Sequence, residues 1–459
     1  MPDNLYFGGG GDTFFTPTAI AILVTAIVLI VIIPRRYAIV PLLMAGLLLP
    51  MEINLFVWGL HFAAYRLLLL AGWSRLLIRG EFRHFHMNTL DWVLLCWASS
   101  NAIAFSLLWG SSAAVVNRLG FLYTTLGAYF LLRSLIRDKA DVLRTIGVLA
   151  IAVAVIAPLM LSEHMTGHNI FSLVGAPELS SVREGRIRAQ GPFSHPIIAG
   201  TVGAMMLPLF LALWRHRRAW PIALAGILGS TVVMVTSASS TPVLTYAAGI
   251  GAWLLWPARR HMRVFRWGIV VALITLQLVM KSPVWFLIAH AGAALGGTGW
   301  HRSMLIDNFV RRFAEWWLIG TQNNADWGYN MWDAVNAYVG AGQTGGLVTF
   351  VLFLSLFVYG YKKIGLSRRR VEKGGSDARL VWAIGAALFA NTVAFFGIVY
   401  FDQSMLAWYG LLAMISATAT FVPELNPKPL PDAPIAADSV LASSRPSEIP
   451  AAALSIRAF

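Results

Sequence analysis

The chain has 459 residues, 58% of them hydrophobic and only 12% charged, and its mean hydropathy is +0.67. A soluble domain carries roughly twice that charged fraction, which excludes a conventional cytosolic enzyme, a disordered chain and a coiled coil and leaves a polytopic membrane protein. Lys and Arg outnumber Asp and Glu by 35 to 21, a net charge of +14 that in such a protein is first a topology signal, and the lone cysteine, Cys96, permits no internal disulfide.

Residues 1–12 lack Lys and Arg, so the first apolar run reads as a retained span rather than a signal peptide. A helix needs about 20 mostly apolar residues to cross the hydrocarbon core. Windows of that kind fall at 13–33, 37–52, 60–78, 90–109, 118–136, 143–161, 196–214, 220–237, 241–257, 266–283, 338–360, 379–401 and 404–422. The expected fold is all-α: a transmembrane helical bundle of about 12–13 spans over residues 1–422, with the second and third windows short or interrupted. The connections at 34–37, 75–89, 133–144, 214–219, 257–266 and 361–379 hold 23 of the 35 basic residues, so every second connection is basic. By the positive-inside rule these face the cytoplasm, placing the N-terminus outside and the C-terminus inside a bacterial-type inner membrane. Arg75, Arg79 and Arg83 share one helical face and read, like Arg368–Arg370, as stripes on anionic headgroups. These patches are too short and scattered for nucleic acid. The segment 423–459, rich in Pro, Ala and Ser, reads as a disordered cytoplasmic tail.

Two outward connections are long, 162–195 and 284–337, and together they hold Arg183, Arg186, Arg188, Arg302, Arg311 and Arg312 against the topological bias. In the first loop Gly191-Pro192 reads as a turn, and Ser194 or His195 as the cap of a helix opening at Pro196, whose positive dipole end suits an anion. Arg183 is expected to pair with Glu178 or Glu184, whereas Arg188 beside the turn is the better functional candidate. Ser239 and Ser240, before Pro242, mark a second outward helix start. In the second loop residues 302–318 read as an amphipathic helix along the outer interface, with Trp316 and Trp317 at headgroup depth and Arg311 held by Asp307 and Glu315. Arg302, at the start of that helix, opposes the dipole, which points to a task other than stability. Tyr329 closes the loop, and Asp333 or Asn336 is placed to cap the next span.

At these residues the chain resembles the O-antigen ligase and exopolysaccharide polymerase superfamily of bacterial inner membranes. Arg188-Ala-Gln-Gly191-Pro-Phe-Ser-His195-Pro196 is similar to the family's Arg-x-x-Gly-x-Phe-x-His-Pro segment. Arg302 opens the long loop's helix, with Ile306 where the ligases usually show Leu, and nine residues separate Asn336 from Gly346-Leu-Val-Thr349, similar to the ligases' His-Asn-x9-Gly pattern. Gly59 to Arg66 and Tyr400-Phe-Asp402-Gln403 look like the polymerase branch. The ligases carry a His before the Asn; here that position is Val335, which transfers no proton, so the resemblance favours polymerisation over ligation to lipid A-core.

The resemblance implies periplasmic-side, metal-independent glycosyl transfer, without a cofactor, from a polyprenyl-diphosphate-linked glycan. The work would be done among membrane lipids and other polysaccharide-assembly proteins. Arg188 and Arg302 would stabilise the diphosphate, with His301, Asp333 and His195 as candidates for the base. Arg186, Gly191, Ser194, Ser239, Ser240, Tyr329 and Asn336 would line the substrate. The rival class is a transporter or flippase, which usually buries ionisable residues near the midplane; in these windows Arg66, Arg118, Lys281 and Asp402 all lie near span ends.

Overall fold

A helix forms in each of the thirteen apolar windows. The computed structural model describes residues 13–51, 53–57, 60–216, 218–294, 299–329, 331, 334–371, 377–401 and 403–421; the expected tail at 423–459 lies outside them. In chain order come α1 (Pro17–Ile32), α2 (Arg35–Leu48), the hairpin β1 (Asn54–Val57) and β2 (Leu60–Ala63), α3 (Ala64–Ile78), α4 (Thr89–Trp109), α5 (Ser112–Leu135) and α6 (Lys139–Thr166). A second hairpin, β3 (Ser181–Arg183) and β4 (Arg186–Arg188), precedes α7 (Pro196–Leu213), α8 (Trp220–Thr236), α9 (Ser240–Leu254) and α10 (Met262–Val279). The long loop contains α11 (Leu287–Ala294), α12 (Gly299–Arg311) and α13 (Phe313–Trp316), and the chain then runs through α14 (Ala337–Val371), α15 (Asp377–Ala394) and α16 (Ser404–Ala417). Among the described residues, six helices are long and apolar enough to cross a membrane: α4, α5, α6, α7, α10 with the turn from Pro257, and α14.

Local chemistry sets the helix ends. Asn88 and Asp91 form a reciprocal capping box at α4, and Asp138 caps α6. The centre of the bundle is α7, with 16 of its 18 residues buried. Small residues let neighbours close on it: a Cβ at Gly200 would strike the Ser237 and Pro242 side chains of the α8–α9 turn. At the opposite extreme, α10 has no buried residue at all.

Several expectations are corrected. Neither hairpin was foreseen. Arg75 is no headgroup stripe: it is 1% exposed, grips Glu81 through two nitrogens, and donates to the Ile30 and Ile33 carbonyls that end α1. The 302–318 helix breaks at Arg312. Part of its apolar face packs inward, where Leu305, Phe309 and Trp316 join Trp327, Met331 and Val339 in a separate small core, while Val310, Phe313 and Trp317 stay exposed. Within it Phe309 and Trp316 stack at 3.8 Å. Arg311 pairs with Asp307 alone (2.6 Å), because Glu315 is taken by Arg312 and the Trp327 indole N–H. The span expected at 338–360 extends to Val371, and it kinks at Gly346, whose φ of +71° admits the Leu318 carbonyl of the long loop. Gly346 is therefore where this loop docks.

Candidate functional site

The candidate residues meet where the two long loops approach the start of α9. The 188–192 segment is tied on three sides. Ala189 N–H donates to the Thr236 carbonyl at the end of α8 (3.0 Å). Glu163, fully buried in the last turn of α6, accepts from Ser180 Oγ (2.9 Å) and from the amides of Gln190 (2.9 Å) and Gly191 (2.8 Å). Asn169 donates to the Gly191 carbonyl, and Gln403, just before α16, donates to that of Pro192. Gly191 sits at φ +58°, where an added Cβ would also press on Met160. Its amide and carbonyl are both engaged within the protein, so Gly191 holds the strap in place.

Arg188 leaves this strap 7% exposed and donates through Nη2 to Ser239 Oγ (2.7 Å). Ser239 is the N-cap of α9, yet its side chain caps nothing and donates instead to the Ser237 carbonyl. The sequence weakens the cap: an N-cap oxygen takes the N–H two or three residues on, and the third residue is Pro242, which has none, leaving only the Thr241 amide. The hydroxyl serves Arg188 instead.

Arg302 reaches the same helix start from the other loop. It is 4% exposed and packs over Gly397 in the turn between α15 and α16. A Cβ built there would lie 3.1 Å from Arg302 Cζ and 2.7 Å from Thr241 Oγ1. Thr241 is the second residue of α9, two beyond the serine that holds Arg188, so both guanidinium groups border one spot. Asn336 acts one step away. Its Oδ1 accepts the Tyr338 and Val339 amides, capping α14, and its Nδ2 donates to the Phe396 carbonyl beside Gly397. With its side chain fully buried in these bonds, Asn336 positions the turn beside Gly397.

Neither Arg188 nor Arg302 has a carboxylate partner among the described residues, and the Nε of each is buried without a hydrogen bond. Burial lowers the pKa of both, Arg302 to about 10, and each is lowered further by Arg183; both stay cationic near neutrality. Arg183 itself is exposed and forms its expected pairing with Glu184, at 3.5 Å. His195 caps α7, its Nδ1 accepting the Ile197 N–H (3.1 Å). Burial and then Arg188 push its imidazole down to about 4, leaving it neutral and a weak base.

The other candidates spread out. Ser240 and Ser194 are half-buried beside Ser239 and His195 in sequence, and His301 is half-buried next to Arg302. Arg186 is exposed on the hairpin and Tyr329 is 86% exposed at the loop's far end. Asp333 lies outside the described residues. Reading the sequence alone missed Glu163, Thr241 and Gly397; only Glu163 left a trace, as a carboxylate ending an otherwise apolar span. The arrangement can hold an anion with several oxygens, offering two desolvated guanidinium groups, serine and threonine hydroxyls, and the open end of a ten-residue-plus helix. The chain matches no model of a known protein family and has no match among curated proteins.

Proposed function

We propose that this protein is a membrane glycosyltransferase of the O-antigen ligase and polymerase kind, extending a polysaccharide on the periplasmic side from a polyprenyl-diphosphate-linked donor. One observation carries the reading: two buried arginines from different loops, both lacking a counter-ion among the described residues, border the start of α9. Burying unpaired charge costs several kcal/mol, so a fold that keeps both has a use for them. In this reaction an acceptor hydroxyl attacks the anomeric carbon and the sugar–phosphate bond breaks. Negative charge then grows on the departing diphosphate, where preorganised guanidinium groups stabilise it most. The alternation of basic connections supports placing this end of a bundle of about 12–13 spans outside the cell.

The test is glycan extension by purified protein in lipid nanodiscs supplied with a polyprenyl-diphosphate oligosaccharide. Arg188→Ala and Arg302→Ala should each abolish the ladder of long products while leaving protein yield normal. Long product persisting in both would reject the diphosphate role. A Val335→His change should do little to polymerisation, and a gain of transfer to lipid A would favour ligation.

A further inference from the structure

Two basic connections meet at the end of α9 remote from Ser239. Residues 257–266 and 361–379 hold eleven Lys and Arg against Glu372 and Asp377, and Asp377 is taken by Lys139 at 2.5 Å. Of the expected stripe Arg368–Arg370, the last two are exposed, whereas Arg368 is half-buried. Its Nη1 donates to the Arg259 carbonyl (2.5 Å), tying the last turn of α14 to the turn that follows α9.

Two indoles seat three guanidinium groups there. Trp256 and Trp382 meet edge to face at 5.8 Å, and the Trp382 N–H is fixed on the Ala252 carbonyl (2.9 Å) in the last turn of α9. The Cζ of Arg259 lies 4.2 Å and that of Arg379 5.6 Å from the centre of the Trp256 ring, and Arg368 Cζ lies 5.9 Å from that of Trp382. Each distance is within the reach of a cation–π contact, so three like charges from three elements gather around one pair of rings. The C-terminal ends of α9 and α14 favour Arg259 and Arg368. They give no account of Arg379, which lies in the first turn of α15, where the helix dipole opposes a cation. Arg379 makes no hydrogen bond or ion pair among the described residues, so its donors remain for a ligand.

We propose that Arg259, Arg368 and Arg379, seated on Trp256 and Trp382, bind the phosphate of an anionic phospholipid. Planar guanidinium forks grip phosphate oxygens through paired N–H groups, and the free amides that open α15, the helix carrying Arg379, favour the same charge. Two features select a lipid over a free anion. Tryptophans at helix ends are the side chains of the membrane–water boundary. The helix α10, which begins three residues beyond Arg259, has no buried residue, so acyl chains have an apolar surface to lie along. The site stands independently of the glycosyl-transfer reading.

The experiment titrates phosphatidylglycerol into the full chain in neutral detergent and follows the thermal midpoint. The midpoint should rise and saturate with phosphatidylglycerol, and stay in place with phosphatidylcholine or with inorganic phosphate alone. Arg379→Gln should weaken the lipid about fivefold, the ordinary worth of one basic residue at an anionic membrane surface, with the lipid-free midpoint unchanged. Arg368→Gln should weaken it as much, and Arg379→Lys, which keeps the charge and loses the fork, should recover only part. Arg36→Gln removes the same charge from an exposed place in another basic connection and should leave the affinity as it was. Equal responses to phosphatidylcholine and phosphatidylglycerol would overturn the proposal. So would equal losses from Arg36→Gln and Arg379→Gln, the mark of diffuse surface charge. Saturation by inorganic phosphate alone would reject the lipid.

Discussion

Arg302 shows how far the chain departs from its most stable sequence. Its guanidinium is enclosed by Gly397 and Thr241 with no carboxylate among the described residues. Replacing a buried charge by an apolar side chain of similar volume is often neutral or stabilising, by about 1–4 kcal/mol. Arg302→Met should therefore hold or raise the thermal midpoint in detergent while abolishing extension; a clear drop in midpoint would mean the charge has a structural partner. His195 gives a pH prediction. Its folded value of about 4 lies below the usual 6.5, because the neutral ring caps α7 in a buried place. The contribution is complete above about 6.5 and is lost as pH falls through about 4. The midpoint of the wild-type protein should fall over that window, and His195→Asn, which caps without titrating, should flatten the fall; equal slopes would discount the cap.

At the scale of elements, the strap before α7 depends on Glu163. Glu163→Gln replaces an acceptor of three hydrogen bonds by a group that must present an amide to the Gln190 and Gly191 N–H groups. The cost should be about 1–3 kcal/mol, with faster amide exchange at 189–192 than at the centre of α7. Unchanged exchange there would show the strap to be held by Thr236, Asn169 and Gln403 without Glu163. These elements also separate what the sequence revealed from what it hid. Long apolar runs gave every helix window, because crossing lipid demands them, and Arg188 and Arg302 stood out because they defy the charge bias of their side. The β3–β4 hairpin was invisible, since its three-residue strands carry arginines rather than an apolar alternation. Gly191 and Asn336 read as site residues, and Gly346 as part of a motif, because of the pattern around them. Their scaffolding contacts, to Glu163, Phe396 and Leu318, come from tertiary partners that the sequence does not reveal. Arg75 was hidden in the same way, its partners lying on a different helix and a later turn.

For the whole molecule, the orientation inferred from the basic connections is open to a direct check. In a Cys96→Ala background, Arg186→Cys on the hairpin should react with a membrane-impermeant maleimide in spheroplasts. Arg369→Cys, at the far end of α14, should react only after permeabilisation, and the reverse pattern would invert the topology. Hydropathy does not say which helices have neighbours: α7 and α10 are similarly apolar windows of 18 residues, yet one is almost wholly enclosed and the other wholly uncovered. The site is thus built by the crowded half of the bundle. One oxygen there serves two masters. Ser239 Oγ is engaged by Arg188 and so absent from the helix it begins. Under the proposed reading, a diphosphate that draws the arginine onto itself would free that oxygen for the Thr241 amide, so filling the site and capping α9 would become one coupled event.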